Sequence, residues 1–141
     1  MNQQVFIVHN GEKIFDPSLE PTELKEVWFA SPDSALATRA KELSLDGSVA
    51  MAVLEYEGDV LKLWVFQAGV LEIEYDSSPS FATCTITPPV GNKLEDLAVL
   101  FGQPSNTKAV QQLLLRKRGY GFINERQRLE QLLGLLGLPQ S

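Results

Sequence analysis

Residues 50–76 read AMAVLEYEGDVLKLWVFQAGVLEIEYD, and this stretch decides the fold. It holds three apolar runs, at 50–56, 60–66 and 70–75, separated by the breakers Gly58-Asp59 and Ala68-Gly69. Connections this short join antiparallel neighbours, because a parallel pair needs a crossover of about a dozen residues or more. The stretch therefore predicts a three-stranded antiparallel meander on which the rest of the chain packs.

The two turns set the register of the meander. At the first, a two-residue loop with positive φ at Gly58 places Glu55 opposite Lys62, an oppositely charged cross-strand pair. At the second, a two-residue type I′ loop would force Ala68 to positive φ, at a cost of about 1–2 kcal/mol. We therefore expect a three-residue loop, 67–69, in which Gly69 alone has positive φ.

This register divides the side chains between two faces, because a slip of one residue moves every side chain of a strand to the other face. The inner face is expected to be a continuous apolar layer of Ala50, Ala52, Leu54, Tyr56, Leu61, Leu63, Val65, Leu71, Ile73 and Tyr75. The outer face is expected to carry Met51, Val53, Lys62, Trp64, Phe66, Val70, Glu72, Glu74 and Asp76.

The segment before the meander is predicted to form a hairpin, a short strand and a helix. Asn10-Gly11 lies between two apolar runs, which is typical of a two-residue hairpin turn. A strand at 27–30 leads into Ser31-Pro32-Asp33, with the N-cap serine, first-turn proline and acidic residue of a helix start. This helix is expected to end near Leu43 and to present one apolar face, formed by Leu36, Ala40 and Leu43.

After the meander we expect a short strand at 81–87, and the apolar period then changes from that of strands to that of helices. Three helices are predicted from the apolar stripes Leu94, Leu97, Ala98 and Phe101; Val110, Leu113 and Leu114; and Leu129, Leu132, Leu133 and Leu136. Asn124 caps the third helix, with Gln127 at the capping-box position. Together with Leu36 and Leu43, the stripes would cover the inner face of the sheet. The predicted architecture is α+β: an antiparallel sheet built around the meander, with an N-terminal hairpin and helices mainly on one face.

Composition narrows the class of protein. The chain has 141 residues, and we expect a single domain over 1–141, with strands and one helix in 1–90 and a helical layer in 91–141. A net charge of −6 argues against nucleic acid as the main partner and favours a basic protein. The start lacks a basic region and a cleavage site, and no segment has the length of a membrane span, so we expect a cytoplasmic protein. The single cysteine, Cys84, fits a reducing compartment.

Few residues are candidates for chemistry, and each has a structural interpretation that we favour. His9 is the only histidine and lies beside a turn, without a second histidine for a metal site. Cys84 is expected to be an inert thiol in a strand, because a nucleophilic role would need the distant His9 beside it. Glu72, Glu74 and Asp76 form one row, which could bind a cation weakly but is more typical of a solvated face. We expect no catalytic residue, no metal site and no cofactor.

A second group of candidates is basic. Arg116-Lys117-Arg118, followed by Arg126 and Arg128, could bind phosphate, but cations that close a helix also complement its dipole, and this interpretation is preferred. Gly119-Tyr120-Gly121 lacks the preceding strand and following helix of a phosphate-binding loop.

Two segments carry a resemblance. LWVFQAGVLEIEYDSSPSF at 63–81 resembles a recurring stretch in small bacterial proteins of unassigned function, although the usual turn has Asp or Asn where this chain has Ala68. ERQRLEQLLGLLGLP at 125–139 is similar to the closing helix of the same group. The resemblance implies a bacterial origin and an α+β fold, and it carries no catalytic residues.

Two functional classes remain open. The first is a non-enzymatic protein-binding domain, such as an adaptor or an immunity-type inhibitor, whose acidic surface binds a basic partner. The second is a small enzyme or ligand-binding domain with a site assembled from His9, Cys84, Tyr120 and the strand carboxylates. We favour the first.

The expected binding site lies on the outer face of the meander. If no other element covers Trp64 and Phe66, these rings form an aromatic centre with an acidic rim of Glu72, Glu74 and Asp76. The chain could act as a monomer, or as a homodimer through its leucine-rich third C-terminal helix.

Overall fold

The fold is a six-stranded antiparallel sheet with helices on both faces, seen in a computed structural model that describes residues 2–9, 12–16, 35–56, 58–77, 89–116 and 124–138. The strand order is β2-β1-β3-β4-β5-β6. The strands are β1 (Asn2–His9), β2 (Glu12–Asp16), β3 (Val49–Tyr56), β4 (Val60–Gln67), β5 (Val70–Asp76) and β6 (Val90–Gly91). The predicted α+β class and the meander, β3-β4-β5, are confirmed.

The N-terminal hairpin is also confirmed. β1 pairs with β2, and the pair His9–Glu12 leaves two residues between the strands, as the Asn10-Gly11 prediction requires. On its other side β1 pairs with β3, with Phe6 opposite Met51 and Val5 opposite Ala52. The hairpin therefore extends the meander at the β3 side.

The first meander turn differs from the prediction by one residue. Tyr56 lies opposite Val60, so Leu54 and not Glu55 faces Lys62. The Asp59 N–H donates to the Tyr56 carbonyl at 2.8 Å, and Gly58 has φ 76°. Two further hydrogen bonds hold Gly58: its N–H donates to Glu55 Oε2 at 2.8 Å, and its carbonyl accepts from the Glu125 N–H at 2.9 Å. The second bond joins the turn to the distant α4 and favours the longer loop, and local turn chemistry could not reveal it.

The second turn is a two-residue type I′ loop, and the prediction of a three-residue loop at 67–69 is wrong. Gln67 pairs with Val70, and both loop residues have positive φ, 51° at Ala68 and 79° at Gly69. A type I′ turn matches the right-handed twist of its strands, and this gain outweighs the strain at Ala68. The Gly69 N–H also donates to Ser44 Oγ at 3.0 Å.

A β-bulge in β5 follows this turn. Val65 faces Ile73 while Phe66 faces Leu71, so Glu72 is the extra residue. The bulge returns Ile73 and Tyr75 to the face of Val65 and Leu63, as predicted, but it leaves Leu71 on the other face.

The two corrected turns change the composition of both faces. Met51 and Val53 lie with the core of Leu61, Leu63, Val65, Ile73 and Tyr75, whereas the alanines and Leu54 lie with Trp64 and Phe66. The prediction that Ala50, Ala52, Leu54 and Tyr56 share the face of Leu61 is therefore wrong. One face of β3 consists of small residues at Ala50 and Ala52, which leave room for a helix to approach.

That helix is α1 (Ala35–Leu43), and its apolar side was predicted correctly but assigned to the wrong face. Leu36, Ala37 and Ala40 are buried with Ala50, Ala52, Trp64 and Phe66. The other three α-helices of the described residues lie on the opposite face, so the described helices are mainly, not entirely, on one side.

The C-terminal helical layer follows the predicted stripes. A 3-10 turn at 94–96 continues into α2 (Leu97–Leu100), a second at 104–106 continues into α3 (Thr107–Leu115), and α4 spans Glu125–Leu136. All the predicted stripe residues are buried. Asn124 caps α4, where its Oδ1 accepts from the Gln127 N–H at 3.0 Å, and Gly137 ends the helix with φ 68°.

Several predictions lie outside the described residues. They are the strands at 27–30 and 81–87, the Ser31-Pro32-Asp33 helix start, Cys84, Lys117 and Arg118 of the basic tract, and Gly119-Tyr120-Gly121. The His9 side chain also lies outside what the structure describes. Among the described helices, none is both long and apolar enough to cross a bilayer.

Candidate functional site

The aromatic centre of the predicted binding site is buried. Trp64 is 2% exposed and Phe66 is 3% exposed, because α1 covers both rings with its residues Leu36, Ala37 and Ala40. The prediction that these rings could be exposed on the outer face is wrong. The rings still share a face with Lys62 and Glu74, but they form the second core of the protein and offer no contact area to a partner.

The acidic residues of the predicted site do not form a row. Glu72 leaves the alternation at the bulge, and its Oε2 lies 3.7 Å from Nζ of Lys93. Asp76 forms an ion pair with Lys62 at 3.5 Å, and Glu74 is exposed. Across the described part of the chain, no group of three or more His, Cys, Asp and Glu residues could hold a metal ion.

A buried arginine, Arg128, joins α4 to the C-terminal end of α3. Its Nη1 donates to the carbonyl oxygens of Leu114 at 2.7 Å and Leu113 at 3.1 Å. The last carbonyls of a helix lack intrahelical partners and carry partial negative charge, so a guanidinium complements both their hydrogen bonding and their dipole. Arg128 thus closes α3 from a different helix, whereas the helix-closing prediction concerns Arg116, Lys117 and Arg118, of which the last two lie outside the described residues.

Glu125 supplies the counter-charge one turn before Arg128. Its Oε1 lies 2.7 Å from Nε of Arg128, and its Oε2 accepts from Nη2 at 3.2 Å. Each side chain is 1% exposed. The Nη2–Oε2 contact has hydrogen-bond geometry, whereas the Nε–Oε1 contact is an ion pair whose geometry is not that of a hydrogen bond. Attraction between the two opposite charges offsets part of the cost of burying them.

Tyr75 completes this cluster, which we name the arginine lock (Tyr75, Glu125 and Arg128). The hydroxyl of Tyr75 donates to the Leu114 carbonyl at 2.6 Å and accepts from Nη1 of Arg128 at 2.9 Å. Burial raises the pKa of Tyr75 above its ordinary value, although the nearby Arg128 acts to lower it. The hydroxyl therefore stays protonated near neutral pH and acts as a hydrogen-bond donor.

A second buried carboxylate attaches the β3-β4 turn to α4. Glu55 is fully buried, accepts from the Gly58 N–H through Oε2, and lies 3.2 Å from Nε of Arg126 through Oε1. A Cβ on Gly58 would stand 3.3 Å from that of Asn124, the α4 cap. The turn and the first turn of α4 are therefore closely packed, and the polar groups that join them serve the fold.

Sequence reasoning missed the arginine lock, although the α4 sequence contains a sign of it. Glu125 precedes Leu129 by one helical turn, and Arg128 precedes Leu132 by the same spacing, so both charges lie on the leucine stripe. An acid and a base one turn apart within an apolar stripe indicate a buried pair. The helix that Arg128 closes could not be identified from that spacing.

An exposed apolar surface lies at the β4-β5 turn, and we name it the turn patch (Leu45, Ala68 and Val70). Leu45 is 64% exposed and Val70 57%. Leu45 packs over the turn, since a Cβ on Gly69 would stand 2.7 Å from Cδ2 of Leu45. Ser44 holds the same contact, because its Oγ accepts from the Gly69 N–H and donates to the Lys41 carbonyl at 2.8 Å.

Acidic residues border the turn patch along the chain. Asp46 follows Leu45 and is exposed, Glu42 is exposed in the last turn of α1, and Glu72 comes two residues after Val70. The sequence predicts an apolar centre with an acidic rim around Trp64; the turn patch is instead the exposed apolar surface that has acidic residues next to it in the sequence.

The outer edge of β5 next to the turn patch is open within the described ranges. β6 pairs with β5 at Tyr75 and Asp76, and the Asn92 N–H donates to the Glu74 carbonyl at 3.2 Å. The Glu74 N–H donates to Oδ1 of Asn92 at 2.7 Å. Lys93 then adopts φ 52°, which turns the chain away from the sheet into the 3-10 turn at 94–96.

Comparisons with protein-family models, with curated proteins and with solved structures each returned no match.

Proposed function

We propose that this chain is a non-enzymatic, cytoplasmic protein-binding domain of bacterial type, an adaptor or an immunity-type inhibitor, whose acidic surface binds a basic protein partner. The exposed turn patch carries the proposal. Leu45 and Val70 leave more than half of their surface in water, whereas most apolar side chains of the meander are buried. Leu45 packs on Gly69, which precedes Val70 in the chain, and exposed apolar side chains that lie close together are typical of interaction sites.

Electrostatics favours a basic partner. The chain has 18 Asp and Glu residues against 12 Lys and Arg, and Glu42, Asp46 and Glu72 lie within three residues of the turn patch along the chain. Complementary charge raises the rate of encounter, and apolar contact at the centre supplies the desolvated area. The described buried charges do not compete for this role, because Glu55, Glu125 and Arg128 have partners inside the protein.

The rigidity of the turn patch also supports binding. A type I′ turn, the bond from Gly69 to Ser44 and the packing of Leu45 over Gly69 fix the patch before a partner arrives. A preformed surface loses less conformational entropy on association than a flexible one. The same preformation makes the position of a cross-linker at Leu45 well defined.

The test is site-specific cross-linking in the native cell. A photoreactive amino acid replaces Leu45 in one variant and Leu115 in a control. Leu115 is a suitable control because it is also exposed, at 47%. It also lies far from the turn patch, since the carbonyl of its neighbour Leu114 accepts from Tyr75 at the other end of β5. We expect one basic protein to be cross-linked from position 45 and not from position 115. That protein is then purified and titrated against the wild-type chain.

Substitution at the patch gives the quantitative arm of the test. Leu45→Ser with Val70→Thr should weaken binding of the purified partner by at least about tenfold, since hot-spot truncations cost about 2 kcal/mol or more. Leu115→Ser should leave the affinity unchanged. Equal cross-linking from both positions, or an acidic partner, would overturn the proposal.

A further inference from the structure

We infer that the partner binds as an extended basic segment that adds a strand to the outer edge of β5 along Val70 to Ile73, where β6 leaves the sheet. This inference rests on the proposed function and specifies the mode of binding. It concerns the backbone of β5, whereas the proposed function depends on the side chains of the turn patch. The two can therefore fail separately.

The backbone geometry at Glu74 shows that this edge accepts an antiparallel neighbour. Both the N–H and the carbonyl of Glu74 point away from β4 and bond to Asn92. The side-chain oxygen of Asn92 takes the place of a backbone carbonyl, so the ladder ends with that residue. Beyond it, no described strand pairs with β5 between Val70 and Ile73 on this side. An incoming strand would continue the line of β6 towards the turn patch.

A second copy of this chain is a poor occupant of the edge. Antiparallel self-pairing about a two-fold axis would bring Glu72 and Glu74 of one copy near those of the other, and facing like charges are unfavourable. This repulsion disfavours self-pairing and favours a segment of opposite charge.

Lys93 indicates which side chain of the partner meets Glu72. Its ammonium group already lies 3.7 Å from Oε2 of Glu72, although the Lys93 side chain is 55% exposed. A lysine or arginine of the partner can take this position, while an apolar side chain two residues away along the segment reaches Val70. The partner segment is therefore expected to alternate basic and apolar or small residues.

The experiment uses a synthetic nonapeptide in which lysine alternates with threonine or valine, titrated against the full chain by fluorescence anisotropy. A matched peptide carries N-methyl groups on alternate backbone amides, which removes the donors of one edge without changing charge. We expect the methylated peptide to bind about tenfold more weakly, because at least two backbone hydrogen bonds are lost. Amide resonances of Leu71 and Glu72 should shift only with the unmethylated peptide.

Charge variants test the register. Glu72→Lys should weaken peptide binding by about fivefold to tenfold, and Lys93→Ala should strengthen it by about twofold to fivefold by removing the competing cation. The control is Asp59→Lys, which makes the same charge change at the opposite end of β4 and should alter binding by less than about twofold. Equal losses in Glu72→Lys and Asp59→Lys would mean that net charge alone attracts the peptide.

The outcomes separate the two proposals. Equal binding of the two peptides, or a peptide that does not bind while the partner cross-linked at Leu45 does, overturns strand addition and leaves the proposed function standing. Failure of the cross-linking experiment overturns the proposed function. Strand addition is established if N-methylation of the peptide and Glu72→Lys each weaken peptide binding and if the amide resonances that shift are confined to β5.

Discussion

Replacing Arg128 by methionine is the most informative perturbation of this fold, because one side chain joins the sheet, α3 and α4. Methionine has a similar length and preserves much of the packing volume. The substitution removes the ion pair to Glu125, the donors to the Leu113 and Leu114 carbonyls, and the donor to the Tyr75 hydroxyl. It leaves a buried carboxylate without its counter-charge.

The expected loss follows from these contacts. Breaking a buried ion pair from one side costs about 3–5 kcal/mol, because the remaining charge stays desolvated. The Leu114 carbonyl keeps its bond from Tyr75 at 2.6 Å, and the Leu113 carbonyl keeps only the long bond from the Arg116 N–H at 3.4 Å. A domain has only about 5–15 kcal/mol of stability, so the variant should be folded but marginal.

The double variant Arg128→Met with Glu125→Met separates lost attraction from an uncompensated buried charge. With both charges gone, the remaining cost is chiefly the loss of the hydrogen bonds from Arg128 to the α3 carbonyls and to Tyr75, about 0.5–1.5 kcal/mol for each bond. The double variant should therefore be more stable than either single variant. Such a cycle isolates the coupling between two residues that touch each other.

Urea unfolding followed by tryptophan fluorescence measures these differences. With a slope of about 1–3 kcal/mol per molar urea, Arg128→Met should lower the midpoint by about 2 M. Lys108→Met is the control, since Lys108 is an exposed cation of α3. A midpoint for Arg128→Met within the error of Lys108→Met, or a double variant as unstable as the sum of the single variants, would refute the role given to the lock.

Three further predictions concern the turns and the two cores. Ala68→Asn or Ala68→Gly should raise the free energy of unfolding by about 0.5–1 kcal/mol in urea titrations, because either residue relieves the strain at φ 51°. Gly69→Ala should lower the free energy of unfolding, because the added Cβ would meet the Leu45 side chain. In Trp28→Phe, the fluorescence of Trp64 should resist quenching by acrylamide, and strong quenching would contradict its burial at 2% exposure. A chain ending at residue 124 should aggregate or fail to unfold cooperatively in calorimetry, because each of the four buried leucines of α4 contributes about 1.5–3 kcal/mol.

The elements of the fold could be predicted from the sequence, but the register between them could not. Alternation located β3, β4 and β5, and the stripes located α2, α3 and α4, because both periods follow from local geometry. The expected Glu55–Lys62 pair predicts the wrong register at the first turn. In the structure Lys62 forms its ion pair with Asp76, and Glu55 forms its ion pair with Arg126. Charges on neighbouring strands thus gave several plausible partners, and tertiary contacts chose among them.

The site depended on that register. The prediction places Met51 and Val53 on the face of Trp64, but a shift of one residue at the first turn puts Ala50 and Ala52 there instead. The helix α1 packs on the surface that these two small residues form. An exposed aromatic site was therefore predicted on what is a second core. The turn patch arises from the contact between Leu45 and Gly69, and no periodic pattern in the sequence indicates a contact of that kind.

The two ends of β4 have different physical roles. At the Gly58 end, Glu55 and the Gly58 carbonyl bond to the first turn of α4, and the arginine lock ties that helix to α3. At the Gly69 end, the turn is held by Ser44 and Leu45 and leaves apolar surface in water. The eight residues of β4 separate these ends by about 26 Å, a distance over which independent sites usually contribute additively. Substitutions at the turn patch should therefore leave the contacts of the arginine lock intact, and their effects on stability should add to those of Arg128→Met.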